Sequence, residues 1–85
     1  MEKINFTFAV NQKALKNAII NKDIRDIEAM FSTLKYDIEK YYSLLENDKL
    51  NELSIKRFNS LIKKVRKGLN ELGFSIEDLL KDWNN

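Results

Sequence analysis

The sequence contains no cysteine and no histidine. Their absence removes disulfides, thiol nucleophiles, imidazole acid–base catalysis and zinc sites of the usual nitrogen and sulfur kind. It contains no proline and two glycines in 85 residues, so little in the chain interrupts a helix. No glycine-rich phosphate loop, G-x-S-x-G elbow or paired-carboxylate constellation stands out. We therefore expect no catalytic residues, no cofactor and no metal, and a protein that is not an enzyme. No apolar run approaches the ~18 residues that a membrane span needs. The opening MEKINFTFAV has neither the apolar length nor the small-residue cleavage site of a secretory signal. The expected location is the cytoplasm, and the lack of cysteine fits a reducing compartment.

What the chain has in quantity is charge and helical periodicity: 33% of its residues are charged and 44% are hydrophobic. The strongest pattern runs from Asp23 to Glu46. There Ile24, Ile27, Phe31, Leu34, Ile38, Tyr41 and Leu45 follow the alternating spacing of three and four that marks the a and d positions of a heptad helix packing along another helix. The pattern predicts an oligomer interface formed by these seven residues. It fails at Asn47-Asp48-Lys49, and a second seam follows with Ile55, Phe58, Ile62, Val65, Leu69 and Leu72. The register between the two is slipped by three, which fits either a kinked continuous coiled coil or a turn between two helices. A hairpin would let the seams bury each other; a rod would leave each as a separate association site. A chain this short buries only roughly 60–65% of its unfolded surface, and oligomerisation is the usual remedy.

Ahead of the first seam, residues 3–10, KINFTFAV, alternate Ile4, Phe6, Phe8 and Val10 with Lys3, Asn5 and Thr7, as a half-buried strand does. A strand without a second strand in the chain needs its counterpart in another subunit, so the segment is either such a strand or an arm that fills a neighbouring groove. Asn11 then caps a short amphipathic helix, QKALKNAII, that ends near Ile20, and Asp23 caps the long one. Gly73 sits where a left-handed residue closes a helix, and Ser75 caps a last short helix from Ile76 to about Trp83. The expected fold is mainly α: a short N-terminal strand or arm over residues 1–11, then a helical region over 12–85. Long, second and short C-terminal helices would form a helical dimer or coiled-coil-like bundle, in one association domain.

The net charge of +2 is unevenly spread: Lys56, Arg57, Lys63, Lys64, Arg66 and Lys67 fall in a stretch without an acidic residue. They are candidate contacts for nucleic acid or an acidic partner. A solvated helix face has the same composition. Direct nucleic-acid binding is not favoured, because the one aromatic in the stretch, Phe58, sits on the apolar seam and leaves no base-stacking platform on the charged face.

The long heptad helix, the charged break, the basic helix and the segment ELGFSIEDLL (Glu71 to Leu80) together resemble the N-terminal oligomerisation region of H-NS-type bacterial nucleoid-structuring proteins. The resemblance covers about residues 23–81. It implies a first association site at Ile24, Ile27, Phe31, Leu34 and Ile38 and a second at Phe58, Ile62, Val65, Leu69 and Leu79. It also implies a nucleoid location, self-association or association with an H-NS-like protein, and modulation of that protein's DNA filaments and gene silencing. Two features depart from the family: KINFTFAV stands where short helices are expected, and no counterpart of the family's Trp/Gly/Arg-rich DNA-binding domain is present in the sequence.

Two other readings use the same residues differently. A small phage- or plasmid-type inhibitor or immunity protein would bind one protein target through a helical surface. A ribbon-helix-helix regulator would pair KINFTFAV across a dimer and present Lys3, Asn5 and Thr7 to the DNA major groove.

Overall fold

The structure, a computed structural model, describes residues 3–82, the last three by their backbone alone. An extended arm leads into four helices: α1 (Gln12–Ile20), α2 (Ile24–Glu46), α3 (Glu52–Glu71) and α4 (Ile76–Asp82). The expected end of the last helix near Trp83 and the Leu80 side chain lie outside the described residues.

Polar side chains start the helices. Asn11, Asp23 and Asn51 each accept a hydrogen bond from the third backbone N–H of the helix they cap, those of Ala14, Asp26 and Ser54, and so satisfy a donor that has no partner inside the helix. The first three helices also end alike. In α3, Gly73 takes φ 87° while Phe74 N–H reaches back to the Leu69 carbonyl and Gly73 N–H to that of Asn70, the paired bonds of a Schellman cap. The same pair closes α1 through Lys22 and Asp23, and α2 through Asp48 and Lys49. Those two caps place side-chain-bearing residues in the left-handed region, Lys22 at φ 55° and Asp48 at φ 54°.

The turn at Asp48 makes a hairpin of α2 and α3, so the break is not a kink in a rod. Ile27, Phe31 and Leu34 of α2 share a core with Leu61, Val65 and Leu69 of α3, completed by Leu15 and Ala18 of α1 and Ile76 of α4. Toward the turn, Tyr41 stacks on Phe58 with ring centroids 3.5 Å apart, and Leu50 closes that end. The helix α1 lies close against α3 because position 68 is glycine: a Cβ there would come 2.1 Å from Ile19 Cγ2. That separation is far inside van der Waals contact.

No strand forms among the described residues. The arm keeps the period-two pattern from Phe6 on, with Val10 buried and Phe6 and Phe8 partly so, while Lys3, Asn5, Thr7 and Ala9 are exposed; Ile4, expected on the inward face, is exposed too. Its partners, however, are the α2–α3 turn and side chains of the two helices. Ile4 makes an isolated parallel bridge to Leu50, with Ile4 N–H donating to the Lys49 carbonyl at 2.7 Å and Asn51 N–H donating to the Ile4 carbonyl at 3.2 Å. Phe6 N–H donates to Ser54 Oγ at 2.8 Å, and Ala9 and Val10 N–H donate to the two carboxylate oxygens of Asp37 at 2.8 and 3.0 Å. Two side chains on α2 and α3 thus take the place of a neighbouring strand, and the arm fills the cleft of its own hairpin.

Candidate binding surface

The residues predicted for an oligomer interface lie mostly inside the protomer. Ile27, Phe31, Leu34 and Tyr41 are buried, Ile24 and Ile38 are partly buried against the same core, and only Leu45 is exposed. In the predicted second site Phe58, Val65 and Leu69 are buried, and Ile62 and Leu79 are partly buried. Within the chain, the helix against which these seams pack is its own. The buried face of α3 is also rotated from the predicted one. It runs through Ser54, Phe58, Leu61, Val65 and Leu69, so Leu61, beside the predicted Ile62, carries the deeper contact.

The arm's outward face is likewise engaged. Lys3 Nζ pairs with Asp48 at 2.5 Å and also donates to its carbonyl at 2.6 Å, and Asn5 Oδ1 accepts from the Asn51 side chain. An arm bound along its length to its own helices is not arranged as a ribbon that pairs across a dimer and enters a DNA groove. In this chain the segment is therefore placed against its own hairpin rather than as a free ribbon.

Tyr36, Tyr42 and Leu45 are exposed on α2, and the predicted basic residues are exposed around α3. The six predicted basic residues divide between two places. Arg57 and Lys64 face a groove of about 490 Å³ between the arm, α1 and α3. Its floor is apolar, from Phe6, Phe8 and Leu61, and Ser54 and Ser60 add hydroxyls. Across the groove from α3 stands Lys16 of α1, a third cation. Among the described residues no carboxylate lines this groove, and none of its three cations forms an ion pair with one of them. Lys16 and Lys64 also border a second, smaller hollow of about 210 Å³ formed by Ile19, Ile20 and Val65. Ile20 there is 74% exposed, the most exposed large apolar residue of the chain's described part.

Lys63, Arg66 and Lys67 line a shallower depression with Asn70 and Glu71, and Lys56 is exposed and lines neither. Arg66 is already committed to Glu77 on α4. That guanidinium, with the helix's own N–H and the Ser75 hydroxyl, holds the Glu77 carboxyl below its usual value. Sequence reasoning missed the groove because Lys16 and the two phenylalanines of the arm are far from Arg57 in the chain, and only the packing of the arm into the hairpin joins them. No group of three or more metal-binding side chains occurs among the described residues, and no described helix is long and apolar enough to cross a membrane. Compared with protein-family profiles, with characterised proteins and with solved structures, the chain matches none of them.

Proposed function

We propose that this chain is a non-enzymatic helical binding module that acts as a folded unit on a protein partner. The partner class that the sequence resemblance suggests is an H-NS-like nucleoid-structuring protein, whose DNA filaments and gene silencing the module would modulate. The observation that carries this reading is the enclosure of both apolar seams within the protomer. A chain whose Ile27, Phe31, Leu34, Val65 and Leu69 are already covered has little to gain from exchanging helices with copies of itself. It is suited to add one unit to an assembly rather than to extend a chain of its own. Occupying a site on a filament-forming protein changes filament growth by mass action.

Titrating the purified protein onto the oligomerisation region of an H-NS-like protein, with heat and molar mass both followed, tests the reading. Saturable binding at micromolar concentration with a defined stoichiometry supports it; no heat and no change of mass up to about 100 μM, an affinity weaker than roughly −5.5 kcal/mol, overturns it. A second reading shares the enclosed core: an inhibitor or immunity protein with one target of another kind. It gains ground if the chain alone is monomeric at all concentrations and ignores every H-NS-like protein offered.

A further inference from the structure

We propose that the groove between the arm, α1 and α3 is a docking site for a short acidic protein segment with interleaved apolar residues. This rests on the reading of the chain as a protein-binding module and names the chemistry that the partner presents. Three cations converge on the groove, Lys16, Arg57 and Lys64, with no carboxylate among its lining residues. Unpaired charge of one sign, gathered in a recess beside the partly buried Phe6 and Phe8, favours an occupant of opposite sign. Arg57 and Lys64 are seven residues apart on α3, about 10.5 Å along the helix. Arg57 offers a planar fork that a carboxylate fits in two-point fashion.

Charge alone does not choose a peptide over a nucleic acid; the apolar surfaces do. Phe8 and Leu61 form the floor beneath the cations, and Ile20 stands exposed in the hollow that Lys16 and Lys64 border. Phosphates on a duplex stand on a convex rod and would leave that carbon surface uncovered. The ring faces available to a base are limited, because Phe8 already stacks on Phe58 with its plane 1° from parallel. A segment that alternates acidic and apolar side chains satisfies the cations and covers the carbon together.

The test uses the intact protein and a fluorescent peptide of about twelve residues alternating glutamate with leucine, followed by anisotropy, with a random-sequence DNA duplex of similar charge in parallel. Two double variants are compared with the wild type: Arg57→Glu with Lys64→Glu in the groove, and Lys63→Glu with Lys67→Glu outside it. All four residues are exposed, so both variants should fold, and matched thermal melts check this. The expected result is micromolar peptide binding that weakens at least about tenfold, or 1.4 kcal/mol, in the groove variant, changes less than about twofold in the other, and falls with added salt. Equal loss in both variants, no peptide binding at millimolar concentration, or tighter binding to the duplex than to the peptide overturns the proposal. The same variants offered to an H-NS-like protein separate this inference from the reading beneath it. If the groove variant binds that partner as the wild type does, the groove assignment fails and the reading stands. If even the wild type does not bind, the reading fails, whatever the peptide does.

Discussion

Asp37 is fully buried on the face that α2 turns toward the arm, and its two oxygens each take one backbone N–H, from Ala9 and from Val10. Hydrogen bonds to a charged acceptor contribute about 1.5–3 kcal/mol each, and removing the acceptor leaves the buried Val10 donor unmet as well as the part-buried one of Ala9. Asp37→Ala should therefore lower the unfolding free energy by about 3 kcal/mol in a urea titration, whereas Asp37→Asn, which keeps one acceptor oxygen, loses less. In the heptad of α2 this residue falls at a position flanking the seam, where a charge usually meets water, so nothing in the spacing marked it as an anchor. Its meaning depends on an arm that lies far away in the sequence. Tyr41 is a buried residue with a titration to follow. Burial, with a smaller contribution from Tyr42, pushes its phenol above the usual value, so the folded chain holds that proton to higher pH than the unfolded chain does. The associated stability is complete below the unfolded value near pH 10 and is lost as pH rises through the folded one. Denaturant midpoints measured from pH 8 to 11 should fall, and Tyr41→Phe should flatten the part of the fall due to this group.

At the scale of the helix, beginnings were legible and partners were not. Asn11 and Asp23 announce their helices because a short polar side chain followed by an amphipathic run has few other uses, and α1 and α2 begin where those residues place them. The spacing of Ile27, Phe31, Leu34 and Tyr41 shows that this stripe is covered. It carries no information about whether the covering helix belongs to the same chain, since a hairpin and a dimer impose the same period. In the same way, the alternation of Phe6, Phe8 and Val10 marked an inward face but not the helical cleft that receives it. The ends of α1 near Ile20 and of α2 before Asn47 were read as well, but the left-handed residue that closes a helix was recognised only where glycine stood. Gly73 is the residue expected in a left-handed cap, but Lys22 and Asp48 adopt the same conformation at a steric cost of roughly 1–2 kcal/mol each. Replacing Lys22, which is exposed and makes no described ion pair, by glycine removes that strain at some loss to chain entropy. Lys22→Gly should raise stability by about 1 kcal/mol, read as a melting temperature roughly 4–8 °C higher.

For the whole molecule, the arm is as much a part of the core as any helix. Phe6 packs against Tyr41 and Phe58, and Phe8 against Phe58, at centroid separations of 5.7 to 6.0 Å, with the Phe6 and Phe8 rings 5.0 Å apart, and this aromatic cluster fills the end of the hairpin nearest the turn. A chain lacking residues 1–10 would open Tyr41, Phe58 and Leu61 to water and leave Asp37 buried without its donors. Such a variant should lose its cooperative melt, bind a hydrophobic dye, and show a molar mass that climbs with concentration as exposed aromatic surface seeks cover in other copies. The enclosed seams of the intact chain would in that way become the association surfaces that the heptad pattern first suggested. The two strained helix ends also have a consequence for how this protein can change over generations. Lys22 and Asp48 together hold back stability that single substitutions can release, so a lineage that acquires either glycine gains room to accept otherwise damaging replacements along Lys16, Arg57 and Lys64. The surface can then be retuned toward new partners while the hairpin that displays it stays folded.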